Sequence, residues 1–358
     1  MAQYRISRRT AIGAFAAIAG VAQSRQGADD PVALRSRAGF MKTVEKQPPL
    51  SAMLPATRYY EVESTSVGAR FAVWVTIPPR YESEPDKSYP AIYQTDGNFS
   101  APLTAPLSVL LRDDPINPIV PFIQVSVGYA GEDAKRELAV RARDLLPPGE
   151  PLLAGTNEES MARLVKAGAL DSVGAEIYLH NLRNPAGDKF LSFLNDELHP
   201  WIASQYRVDG DATGLHGYSY GGLFATYAAL RRSRFRRVGA GSPGIISRVS
   251  KTFEMYNAEL TADADHHGRH LHMTVGEKEI TAPSYYQVGV GAGTMEFMIL
   301  AGQKPLRGLS FTTHIQAHDS HASGYASSWF SFLRACYSAP SPTDLLSAPR
   351  SESAKGRQ

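Results

Sequence analysis

From about Tyr59 to Tyr337 the chain alternates β-rich runs with helical ones, and no other feature constrains its fold as strongly. Residues 59–64 and 70–77 are rich in β-branched and aromatic side chains and flank a polar turn around Gly68, which predicts an antiparallel start. AIYQTDG at 91–97 and FIQVSVGY at 122–129 read as short buried strands. Strand-like segments at 213–218, 236–241, 271–276 and 309–316 then alternate with helical stretches at about 222–232, 284–301 and 322–337. Within 190–206, Phe190, Phe193, Leu194, Leu198, Trp201, Ile202 and Tyr206 recur near a 3.6 period, so this segment reads as an amphipathic helix with a kink at Pro200. Strands separated by helices predict an α/β chain, its mostly parallel central sheet covered by helices on both faces. The stretch 130–188, with Pro147, Pro148 and Pro151, is the least regular and reads as an insertion over the carboxyl edge of the sheet, where such proteins bind ligands.

Composition removes whole classes of function. With 37 Lys+Arg against 35 Asp+Glu, the chain has no large basic surface for nucleic acid. Its one cysteine, Cys336, excludes an intramolecular disulfide framework and a Cys-rich zinc site. His266, His267, His270 and His272 are dense, but two of them alternate along a strand and no matching carboxylate set accompanies them, so no metal is expected. No phosphate loop or dinucleotide fingerprint is present, and no cofactor is expected.

The two ends differ from the middle. Residues 5–9 read RISRR, residues 11–22 read AIGAFAAIAGVA, and small residues precede a candidate cut after Ala22. That order matches an export signal, and the apolar run is shorter than the roughly 20 residues that span a bilayer. Arg8 and Arg9 after Ser7 resemble a bacterial twin-arginine signal, so the mature protein is expected in the periplasm or outside the cell, without stable membrane insertion. The expected organisation is a signal at 1–22, an extension at 23–58, one catalytic domain at 59–337 and a disordered tail at 338–358 whose prolines and charges break every apolar group.

The chemistry centres on GLHGYSYGG at 214–222. Gly217-Tyr218-Ser219-Tyr220-Gly221 is a G-x-S-x-G pentapeptide between a strand signal and a helical one, the context of a nucleophile elbow. Such a turn exposes the serine oxygen and aims the N–H of the next residue, Tyr220, at a developing oxyanion. A serine needs a base, and the base an orienting acid. In the α/β-hydrolase fold the acid follows a late strand and the histidine the last one. Glu277 and Glu279 end the strand at 270–276, and His318 and His321 end the strand at 309–316. Glu279 and His321 are preferred; Glu277 and His318 stay open as alternatives, and Asp319 is a third, poorer acid because it lies so close to the base. The second oxyanion donor is expected from the loop Thr95-Asp96-Gly97-Asn98-Phe99, through the backbone N–H of Asn98 or Phe99.

These residues resemble a known family, the α/β-hydrolase esterases grouped with bacterial siderophore (ferric enterobactin-type) esterases and the wider esterase D-like set. The resemblance runs in order through YPAIYQTDG, VSVGY, RARDLLPP, FLSFLNDELHPWIASQYRVD, GYSYGGLFATYAAL, VGEKE and DSHAS. It implies a serine hydrolase of carboxylic esters, with Ser219 as nucleophile, His321 as base and Glu279 as acid. The expected partner is a small-molecule ester, a siderophore or its iron complex among the candidates. Arg143 in the RARD segment, Tyr129 and Tyr218 are candidate substrate contacts, Arg143 having an ion pair to Asp144 or Glu150 as its alternative. Tyr218 and DSHAS depart from the commoner His or Gln and HGS of relatives, which bears on specificity. The rival functions are an acyltransferase of the same fold and a non-catalytic periplasmic binding protein. Lysine at both Arg8 and Arg9 is expected to leave the precursor in the cytoplasm on cell fractionation; unchanged export would defeat the twin-arginine reading.

Overall fold

The computed structural model describes residues 50–341. The signal segment, most of the 23–58 extension and the tail beyond residue 341 lie outside the described residues. One eight-stranded sheet organises the described chain: β1 (Thr57–Ser64), β2 (Ala69–Thr76), β3 (Tyr89–Gln94), β4 (Ile123–Tyr129), β5 (Val208–Tyr218), β6 (Arg237–Gly241), β7 (Arg269–Gly276) and β8 (Leu309–Gln316). The spatial order is β1-β2-β4-β3-β5-β6-β7-β8. β1 pairs antiparallel with β2 and β2 with β4, whereas every pair from β4 through β3 to β8 is parallel. The antiparallel start turns on Gly68, whose φ of 72° suits a residue without Cβ. β3 and β4 are buried along their whole length, as expected of strands covered on both faces.

Two unequal cores flank the sheet. The larger packs Phe71, Phe190, Phe193 and Phe224 with Leu215, Leu223 and Phe297; the stacked Phe71–Phe193 pair has ring centroids 4.6 Å apart. The smaller gathers Ile92, Leu111, Ile119, Phe122, Trp329, Phe332 and Tyr337 under the helices Gly97–Arg112 and Gly324–Tyr337. The segment around Pro200 stays helical from Gly187 to Gln205, and its irregularity is a π-helical turn at Phe193–Leu198 just upstream of the proline. A wide turn there absorbs the backbone mismatch that proline imposes.

Three expectations change. The 130–188 stretch is helical rather than irregular: helices run over Glu137–Leu145, Glu158–Lys166 and Ser172–Arg183, with Asn157 and Asp171 as side-chain caps. Residues 95–99 are not a free loop, because a helix begins at Gly97. The chain beyond residue 337 is still paired up to 341: Ser338 bridges Ile119, Ala339 N–H donates to Pro118 O at 2.9 Å, and Ser341 Oγ donates to Pro115 O at 2.8 Å.

Glu150 fastens the helical insertion to the body. Its Oε2 accepts the N–H of Lys251 at 3.0 Å, where the helix Lys251–Thr261 begins. Burial pushes its carboxyl up to about 7. The folded state therefore keeps a proton that the unfolded chain gives up near pH 4.5, and stability is lost as pH rises from there through 7. Glu150→Gln keeps an acceptor for Lys251 and never ionises. It should be more stable than the parent by roughly 1–2 kcal/mol at pH 8 in urea melts, with the gain gone at pH 4.5.

Candidate active site

Ser219 stands between β5 and the helix Tyr220–Leu230 with φ 61° and ψ −118°, a backbone conformation costly for any residue with a side chain. Neighbouring glycines make the turn possible. A Cβ at Gly217 would lie 2.0 Å from Gly221 O, and one at Gly222 would lie 2.4 Å from Gly241 O. Ser219 N–H donates to Gly241 O at 2.9 Å, and Ser219 O accepts from Leu223 N and Gly244 N. The serine is thus held at the carboxyl end of the sheet, partly exposed, at the positive end of a helix dipole.

Glu279 and His321 meet there. His321 Nδ1 lies 2.5 Å from Glu279 Oε1, and both side chains are almost wholly buried, at 2% and 1% exposure. The other carboxylate oxygen accepts from Ser242 Oγ and from Gly276 N, each at 2.6 Å. These three contacts fix the carboxylate and set the imidazole with its Nδ1 edge against it. The imidazole lies between two tyrosines: Tyr286 stacks on it at 4.0 Å and 15°, and Tyr218 packs at 5.1 Å. His321 Nε2 is buried without a hydrogen-bond partner, so its contact with Ser219 is not made in this conformation. Contacts of this kind are often long in a free enzyme and tighten around substrate.

Glu277 and His318 form a separate pair at the surface. His318 is 89% exposed, its N–H donates to Glu277 Oε2 at 2.7 Å, and Lys278 Nζ lies 3.2 Å from the same carboxylate. The His318 N–H, ahead of Lys278, holds the Glu277 carboxyl below its usual range. Asp319 accepts from Ser323 Oγ at 2.7 Å and belongs to the turn before the last helix.

On the facing side, Asn98 and Phe99 occupy the first turn of the helix Gly97–Arg112. Phe99 N–H donates to Asp96 O at 3.0 Å. The Asn98 side chain accepts from Tyr129 N at 2.6 Å and donates to Tyr129 O at 3.0 Å, tying this turn to the end of β4.

The expected substrate contacts are engaged elsewhere. Arg143 is paired bidentately with Asp144, at 2.9 and 2.8 Å, and with Asp133 at 3.2 Å. Tyr129 is a core residue, 3% exposed, packed on Phe71. Tyr218 is also buried, and its hydroxyl donates to His321 O at 2.8 Å, so it holds the histidine backbone rather than lining a pocket. Sequence reasoning missed Ser242, Tyr286 and Arg141 and named Asp96 only as part of the 95–99 loop; of the three missed, only Arg141 carried a signal, two positions before Arg143 in the same segment. The four histidines bond locally: His270 and His272 share Thr312 Oγ1, and His266 meets Glu259. Among the described residues no group of three or more His, Cys, Asp or Glu is arranged to hold a metal ion, and no helix is long and apolar enough to cross a membrane.

The comparisons agree with this architecture. A family model described as a putative esterase matches residues 160–324. An apo-salmochelin esterase of Escherichia coli is 26% identical over 190 residues, 53% of this chain and 51% of that protein. The ferri-bacillibactin esterase BesA of Bacillus subtilis is 23% identical over 194 residues, 54% of this chain and 60% of that protein. The chain has an α/β-hydrolase fold and is similar to bacterial siderophore esterases over part of its length. In these two matches it spans between about half and three-fifths of the length of the relatives. The BES protein of Bacillus cereus shares the fold, with a TM-score of 0.62 at 22% identity over 82% of this chain and 98% of that one.

Ser242→Ala removes one of the two donors to Glu279 Oε2. It should cost about 2 kcal/mol of stability in urea melts, the range for a hydrogen bond to a buried charge. A loss below about 0.5 kcal/mol would show that this contact carries little.

Proposed function

We propose that this protein is a serine esterase that works through an acyl-enzyme on Ser219. The observation that carries the reading is the buried His321–Glu279 contact beside a strained, partly exposed serine, with Nε2 left unpartnered. Ser219 Oγ attacks the ester carbonyl while its proton passes to His321 Nε2. Glu279 holds the imidazole in the tautomer that presents Nε2 as acceptor and stabilises the imidazolium that forms. The N–H groups of Tyr220 and Asn98 stabilise the tetrahedral oxyanion. On collapse, the alcohol leaves with the proton from Nε2. Water then gives a proton to Nε2 and attacks the acyl carbonyl, and on collapse that proton passes from Nε2 to Ser219 Oγ as the acyl–oxygen bond breaks and the carboxylic acid leaves.

The substrate we propose is a siderophore-type ester, supported by the names of the two curated relatives, one an apo-salmochelin esterase and the other a ferri-bacillibactin esterase. We also propose, on the N-terminal pattern alone, that the protein acts after export. Ser219→Ala is expected to lower hydrolysis of a short p-nitrophenyl ester at least about 10⁴-fold, and Glu279→Gln about 10³–10⁴-fold. A fluorophosphonate probe should label Ser219 and no other residue. Full activity in Ser219→Ala would falsify the assignment. A panel containing a catecholate trilactone and simple acyl esters, ranked by kcat/KM, tests the substrate; preference for the simple esters would count against the siderophore reading.

A further inference from the structure

Arg141 sits where the two sides of the proposed oxyanion hole meet. It belongs to the helix Glu137–Leu145 of the 130–188 insertion. Its Nε donates to Asp96 Oδ1 at 2.8 Å and a terminal nitrogen to Asp96 Oδ2 at 3.0 Å, a bidentate pair with side chains only 14% and 9% exposed. The same guanidinium lies over the Tyr220 ring, 5.2 Å from its centroid. One cation therefore touches the residue two before Asn98 and the residue whose own N–H is the first donor.

Asp96 is not a relaxed anchor. Its φ of 56° and ψ of 44° put it in the left-handed region, where an aspartate needs a reason to stay. The segment is also pressed against the elbow: a Cβ at Gly221 would fall 2.2 Å from Thr95 Oγ1 and 3.1 Å from Asp96 Oδ2. Tyr220 is braced from its far end as well, its hydroxyl 3.0 Å from that of Tyr178 on the helix Ser172–Arg183. A planar guanidinium fork fits a carboxylate edge and an aromatic face together, which an ammonium cannot do.

We propose that Arg141 is a positioning residue: by gripping Asp96 through its fork and Tyr220 through its ring, it sets the separation of the Asn98 and Tyr220 N–H groups. It touches no reacting atom. The role rests on the esterase reading above, and it gives the insertion a function beyond covering the pocket. Loss of the grip should be felt mainly where the oxygen carries charge, because misplacing preorganised donors weakens transition-state binding more than ground-state binding.

The test uses Arg141→Lys, Asp96→Asn and the double variant in the full chain, with folding checked by circular dichroism. Each single variant should lower kcat on a p-nitrophenyl ester about 10–100-fold, with KM within about threefold of the parent. Affinity for a boronic acid, whose adduct on Ser219 places an oxygen in the hole, should fall by a similar factor. Affinity for the product carboxylic acid should hold. The double variant should lose no more than the worse single one, since both break the same contact. If Arg141→Lys keeps parental kcat and boronate affinity, the clamp is wrong. It is equally wrong if product affinity falls in step, which would make Arg141 a substrate contact, or if the two losses multiply. Should the fluorophosphonate fail to label Ser219 in the parent, the esterase reading falls and takes the clamp with it. Labelling of the parent together with an indifferent Arg141→Lys removes the clamp alone.

Discussion

The turn from β5 into the helix Tyr220–Leu230 is the constraint on which the rest depends. It is so tight that side chains at Gly217 and Gly222 would collide with backbone 2.0 and 2.4 Å away. Ser219 is left in a conformation that only the surrounding structure can hold. The hydrogen bond from Ser219 N–H to Gly241 O and those from Leu223 and Gly244 to Ser219 O supply that support. The turn thus needs β6 beside it, a helix behind it and residues 95–96 in front of it. A parallel sheet with its crossovers provides all three.

The same sheet brings the remaining groups together. Ser219 follows β5, Ser242 follows β6, Glu279 lies just beyond β7 and His321 beyond β8. Parallel pairing aligns these strand ends, with Tyr218 opposite Gly241, Gly241 opposite Thr274 and Gly276 opposite Gln316. Side chains more than a hundred positions apart in sequence are therefore neighbours by register. Burial then makes each contact consequential, because a carboxylate 1% exposed must have its partners, and Glu279 has Ser242, Gly276 and His321.

Much of this was legible in the chain itself, for identifiable reasons. Clusters of β-branched and aromatic residues between turn signals gave every strand from β1 to β8, and helical runs gave Tyr220–Leu230, Ala292–Gln303 and Gly324–Tyr337, while the helix Lys251–Thr261, with few apolar positions, was not read. The helices of 130–188 were hidden by prolines that lie between them rather than inside them, and the helix Gly97–Arg112 by Pro102 and Pro106 within it. Ser219 was readable as a local motif. The choice of Glu279 over Glu277 as the partner of His321 depends on the short helix Glu277–Thr281, which turns one carboxylate inward and the other to solvent. Arg141 and Arg143 show the limit most plainly. Two positions apart on a helix they face opposite ways, and nothing in RARD says which way the helix is rotated.

His321 is supplied from beyond β8, the outermost strand of the sheet, whose other edge pairs with none of the described strands. Several of its residues are exposed, Ile315 at 47% among them. Strands at such edges open at lower free energy than those in the middle. The proposed base is therefore carried next to an edge strand, while the serine is anchored in the middle of the sheet. On warming, detachment of that margin would carry His321 away from the serine ahead of the cooperative melting of the body.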